Sequence, residues 1–207
     1  MNTDALQGDS PRNKLLEVAR LFAQAESEAK KAELLLGELS IPCVNELRYA
    51  GSHLIQGLVA RDKDEEQLER EQLERACKHC RRALYDAWEA QILYYLEKIS
   101  AFQHDYRNVV ISDVLSNYTE LSMSIQQSRD VILKAQAMPD KEERCLTIAG
   151  HVDVLAKIQQ TLDASRDELN KKMRKECSIY WVRVLGVLVT ILALVVSILT
   201  LVVSILK

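Results

Sequence analysis

Residues 184–206 contain no charged side chain, and the chain ends one residue later at Lys207. A run of 23 residues is about 34 Å long as a helix, which is enough to cross a bilayer. Tyr180, Trp181 and Arg183 stand at its entrance, where interfacial anchors belong. Lys171, Lys172, Arg174 and Lys175 precede them, and only Lys207 lies beyond. The positive-inside rule therefore predicts a cytosolic N-terminal part and a C-terminus on the far side. A buried core helix is the alternative, but this segment is apolar on nearly every face. The N-terminus, MNTDALQGDSPR, is polar and has no secretory signal pattern.

The apolar run is also periodic. LVVSIL occupies residues 194–199 and again 201–206. Gly186, Thr190, Ala193, Ser197, Thr200 and Ser204 follow one another at intervals of four and three, so every member of one seam is small or hydroxylated. Such spacing favours a left-handed bundle, and small residues let helix backbones approach closely. Two readings stay open. The seam is either an oligomerising contact of a plain anchor or the inner wall of a narrow pore, with Arg183 and Lys207 at its two mouths.

The remaining sequence reads as helix. It has few breakers, with 6 Gly and 3 Pro in 207 residues, and only 5% aromatic residues. The expected class is all-α: a cytosolic helical bundle continuing through a long helix into a single C-terminal transmembrane helix. Residues 1–10 are expected to be a flexible N-terminus, 11–139 the bundle, 140–178 a connecting heptad helix, and 179–207 the membrane helix. Within the bundle, Ser10 and Pro11 start a helix to about Leu39. Pro42 opens a second helix to about Val59, and a charged stretch, 61–75, leads into a third. That third helix carries the core through Ala83, Leu84, Ala87, Trp88, Gln91, Leu93, Tyr94, Tyr95, Leu96, Ile99 and Phe102. A turn at 103–108 precedes a fourth helix over 109–137. Met138, Pro139 and Asp140 form a firm stop, and Asp140 and Glu143 have capping-box spacing. Beyond Asp140 the apolar period continues through Leu155, Leu162 and Leu169, predicting one helix of about 65 residues running into the membrane.

Chemistry is sparsely advertised. No GxSxG, Gly-rich phosphate loop or HExxH is present, so no enzyme and no catalytic residue is expected. Cys77 and Cys80 form a lone CxxC inside a helical pattern, which supplies two ligands and not a zinc site. Reduced, packed thiols are expected instead, with no metal and no cofactor. Basic residues cluster at Arg75, Lys78, Arg81 and Arg82, while NELRYAGSHL places Arg48, Tyr49 and His53 on the preceding helix. Together they are the candidate anion or nucleic-acid surface, combining charge with a stacking ring. A face of ordinary salt bridges with Glu71, Glu74 and Asp86 is the alternative.

A helical bundle containing NELRYAGSHL and CKHCRRALYDAWEAQILYYLEKI, followed by a terminal membrane helix, resembles the small membrane effectors of bacterial anti-phage operons. The Hailong-type effectors are the nearest such family. The resemblance implies a bacterial inner-membrane channel, homo-oligomeric with a tetramer as one candidate. It also implies control by a single-stranded nucleic-acid oligomer that a partner nucleotidyltransferase makes. The contrasting reading is a syntaxin-like tail-anchored tether or scaffold without conduction. Against it, Pro139 shortens the heptad run ahead of the membrane, and a tether gives no reason for repeated hydroxyls.

Overall fold

The computed structural model describes residues 11–205, with side chains described as far as Ile198. Seven α-helices and one short 3-10 turn make up this part, and it contains no strand. The helices are α1 (Pro11–Leu36), α2 (Ile41–Asp62), α3 (Glu66–Asp105), α4 (Tyr118–Ala137), α5 (Lys141–Ile148), α6 (His151–Ala164) and α7 (Arg166–Ile205). The chain is all-α, as its composition predicts.

α3 is the axis of the molecule. Its 40 residues span about 60 Å, and it buries Leu73, Ala76, Ala83, Ile92, Ile99 and Phe102 along its length. Ile92 is buried where Leu93, assigned to the core by its apolar character, is 47% exposed. Adjacent residues sit about 100° apart on a helix, so only one of the two can face inward.

Side-chain contacts fix the directions of the other helices. Cys43 meets the Ala83 carbonyl, His53 meets Gln72, and Arg61 meets Glu69, so α2 runs antiparallel to the N-terminal half of α3. Glu17 meets Arg81 and Glu28 meets Gln91, so α1 runs parallel to α3. α4 returns antiparallel, with Tyr118 at Gln103 and Gln136 at Glu89. α7 begins beside the C-terminal end of α3, where Arg166 meets Asp105. The apolar tail therefore leaves from one end of the bundle, and the α2–α3 turn lies at the other.

Several boundaries differ from the sequence reading, each for a local reason. α1 stops at Leu36 because Gly37 takes φ +73° and its N–H bonds back to the Glu33 carbonyl at 2.8 Å, a left-handed glycine cap. α4 begins at Tyr118 because Val109 and Ile111 are drawn into the core through the 3-10 turn Ile111–Asp113. The single long helix after Asp140 is corrected to three. Asp140 does cap the first, accepting from the Glu142 N–H at 3.0 Å. Gly150 then adopts φ +84° and turns the chain into α6, a conformation that suits glycine. At Ser165 the hydroxyl donates to the Leu162 carbonyl at 2.7 Å, competing with the ladder and separating α6 from α7 by one residue. Leu155, Leu162 and Leu169 are all fully buried, so their seven-residue period serves the bundle's own core.

Candidate functional site

α7 divides into two parts. Its first two turns lie against the bundle: Tyr106 donates to the Asn170 carboxamide oxygen at 3.0 Å, and Lys172 pairs with Asp113. From Met173 to Ile198 every residue but the half-buried Val184 is exposed, Leu192, for example, at 65%. Nothing in the bundle covers this apolar surface, which is long and apolar enough to cross a membrane. That is the pattern expected of a helix whose solvent is lipid. Tyr180 and Trp181 sit together at its start with ring centroids 6.2 Å apart, and Arg183 follows on the exposed surface.

Gly186, Thr190, Ala193 and Ser197 all fall on this exposed helix, keeping their spacing of four, three and four. Thr190 Oγ1 donates to the Val187 carbonyl at 2.7 Å, and Ser197 Oγ donates to the Ala193 carbonyl at 2.9 Å. Both hydroxyl protons are thus satisfied within the helix, which removes most of the cost of placing them in hydrocarbon. The side chains of Thr200 and Ser204, and all of Lys207, lie outside the described residues.

The second candidate lies where α2 crosses the N-terminal half of α3. Tyr49 and His53 are one turn apart on α2, and His79 projects between them from α3. The His53 and His79 rings stack at 5.2 Å with 14° between their planes, and Tyr49 tilts onto His79 at 5.4 Å. Arg48 lies over the Tyr49 ring at 5.0 Å. His79 Nδ1 is 2.6 Å from Glu46 Oε2, and His53 Nδ1 is 2.7 Å from Gln72 Oε1. Both contacts call for Nδ1 to carry a proton, so each ring donates from that atom. Arg75 and Arg82 flank His79 along the same face of α3, at spacings of four and three.

Arg48, Tyr49 and His53 therefore come together with His79; Arg75 and Arg82 lie one turn to either side of His79 by their spacing, and Lys78 is 3.8 Å from Glu74. Arg81 does not join them. It points to the other side of α3, bound to Glu17 of α1 at 2.6 Å and to Glu142 of α5 at 3.2 Å. The sequence sets Arg81 beside the face of Arg75, Lys78 and Arg82, but neighbours on a helix lie about 100° apart, and α1 and α5 claim this one. Asp86, a supposed surface partner, is buried and paired with Lys141. Burial outweighs that lysine and raises the Asp86 carboxyl above its ordinary range.

Glu46 and Gln72 are the members that sequence reasoning missed. Only the spacing of Glu46, Tyr49 and His53 could have signalled a shared face, and nothing local indicates the partner helix. Glu46 also lowers the positive charge of this surface.

The cysteines have a different setting. Cys43, Cys77, Cys80 and Cys145 are buried and Cys177 is exposed. Burial pushes the Cys77 thiol up to about 11 and the Cys80 thiol up to about 12. Among the described residues no group of three His, Cys, Asp or Glu side chains is placed to hold a metal ion. Comparison with protein-family models, with curated proteins and with solved structures finds no match to this chain.

Proposed function

We propose that the chain is a homo-oligomeric membrane pore whose conduction is governed by its helical domain. One observation carries this reading: the small and hydroxylated residues of α7 lie on one stripe of a helix that the bundle leaves bare. A lipid anchor needs only apolar surface. A stripe of Gly186, Thr190, Ala193 and Ser197 is explained if copies of α7 meet along it and turn it toward a common axis. In this reading Arg183 rings the cytosolic mouth, and the bundle is cytosolic in a bacterial inner membrane.

The surface of Arg48, Tyr49, His53, Arg75 and Arg82 is the place for a controlling ligand. Its guanidinium groups and stacked rings suit a single-stranded nucleic-acid oligomer, as the anti-phage resemblance implies. The self-satisfied hydroxyls of Thr190 and Ser197 favour a second reading, a non-conducting oligomeric anchor. Ion flux from liposomes separates the two. The native chain is expected to leak and the chain with Thr190, Ser197 and Ser204 all changed to Leu is not, with flux altered by added oligonucleotides. A native chain that leaks no more than the mutant overturns the pore.

A further inference from the structure

α2 carries a second heptad seam, and it faces outward. Ile41, Val44, Arg48, Gly51, Ile55 and Leu58 succeed one another at intervals of three and four. The opposite face of the helix, with Cys43, Ala50 and Gly57, is buried against the bundle. On the outer face Ile41 is 62%, Ile55 64%, Leu58 42% and Val44 39% exposed, and Val59 beside them is 49% exposed. A Cβ added at Gly51 would meet no atom within 4 Å, so the middle of the seam is open to another backbone. Arg48, the one charge on the line, lies over the Tyr49 ring and so leans off the seam while its stem covers it.

We propose that this face of α2 is a self-association surface, occupied by α2 of a second copy of the chain running parallel to it. The inference rests on the single-pass reading of α7 and does not require conduction. Copies anchored by α7 in one membrane share one orientation and are related by rotation about the membrane normal. α2 lies antiparallel along α3, and α7 leaves from the C-terminal end of α3. Helices aligned with the long axis of such copies are mutually parallel where they meet. The spacing fits a two-helix seam, and in a parallel pair β-branched Ile41 and Ile55 take one core position while Val44, Gly51 and Leu58 take the other, a distribution that suits two strands.

The exposed apolar side chains named above present roughly 400 Å² per copy, about half of what each partner buries in a standard interface of ~800 Å² per side. The contact is therefore small by itself, and the shared membrane anchor supports it by holding the copies at high local concentration. The chain thus carries two bare seams at heptad spacing, one on α7 and one on α2.

Cysteine cross-linking in native membranes tests this on the full chain. Cys177→Ser removes the exposed native thiol, leaving four buried ones. In that background Gly51→Cys is expected to give a covalent dimer under mild oxidation, since a disulfide needs Cα atoms within about 7 Å. Gln56→Cys, on a different face of α2, is expected to stay monomeric. Adding Ile55→Asp to the Gly51→Cys chain should abolish the dimer. No dimer from Gly51→Cys, equal dimers from both positions, or a dimer that survives Ile55→Asp overturns the proposal. Flux that depends on the α7 hydroxyls while Gly51→Cys stays monomeric would sink this contact and leave the pore standing.

Discussion

Arg81→Ala distinguishes a structural cation from a ligand-facing one. Arg81 holds Glu17 at 2.6 Å and Glu142 at 3.2 Å, tying α1 and α5 to α3. All three side chains are 20–30% exposed, so the pairs are neither dry nor fully solvated. Exposed ion pairs contribute about 0.2–1 kcal/mol, and charge-assisted hydrogen bonds about 1.5–3 kcal/mol. Two pairs at this exposure come to about 2 kcal/mol, less what Lys14, already 3.1 Å from Glu17, recovers. A net cost of about 1.5 kcal/mol corresponds to a fall in Tm of roughly 3–6 °C for a chain of this length. Arg75→Ala and Arg82→Ala, which touch no such knot, should stay within about 0.5 kcal/mol of wild type. Thermal unfolding of the full chain in detergent, followed by circular dichroism, reads all three.

The same variant carries a pH signature. Burial pushes the Glu17 carboxyl up, but the Lys14 hydrogen bond and the charges of Lys14, Arg81 and Arg20 together leave it below its ordinary value of 4.5. A depressed carboxylate stabilises the fold above its unfolded pKa, and that stabilisation is lost as pH falls through the folded one. The gap between wild type and Arg81→Ala should therefore be full at pH 7 and shrink in acid below about 4.5. An unchanged Tm for Arg81→Ala, an equal loss in Arg75→Ala, or a gap that widens in acid would refute the assignment.

Two further outcomes follow from burial. Because Cys43, Cys77 and Cys145 are pushed up to about 11 and Cys80 to about 12, maleimide at mildly alkaline pH should modify Cys177 alone in the folded chain and all five thiols after denaturation; mass spectrometry counts the adducts. At Gly57 a new Cβ would lie 3.3 Å from Leu73 Cδ2, so the two helices already touch there. Gly57→Leu should cost about 1–3 kcal/mol from overpacking, offset in part by about 1 kcal/mol of helix propensity; an unaltered Tm would show that α2 is not seated as closely as described.

The helical class, the stop at Pro139 and the Asp140 cap were legible because each has a local cause. The apolar tail was legible for the same reason, since its length and charge flanks need no partner to interpret. What could not be read was pairing between helices. Leu155, Leu162 and Leu169 share a heptad period with a self-associating coil, and only their burial shows that they serve the bundle. Arg81 and Arg82 look equivalent in sequence until α1 and α5 claim one of them. His79 and Glu46 are 33 residues apart, and no local rule joins them. Ile41, Ile55 and Leu58 were equally silent: an apolar residue on an amphipathic helix is assigned inward by default, and only an observed exposure reverses that.

The joint at Ser165 changes how the bundle can act on the tail. One uninterrupted helix would transmit any motion along a continuous hydrogen-bond ladder. Instead the Ser165 N–H bonds to the Leu162 carbonyl and the Leu169 N–H to the Ser165 carbonyl, so the ladder is shortened without being lost. Axial push is still carried, while direction is set by side chains: Tyr106 on Asn170, Arg166 on Asp105 and over the Phe102 ring at 5.1 Å, and Lys172 on Asp113. All of them lie within the first two turns of α7. From Lys172 to Gly186 the helix runs 14 residues, about 21 Å, largely without a neighbour. A lever of that length converts a tilt of about 10° at the collar into a shift of about 4 Å at the start of the stripe, close to the width of a water molecule. In the proposed pore, the C-terminal end of α3 and the Ile111–Asp113 turn are thus where bundle motion becomes a change of pore width.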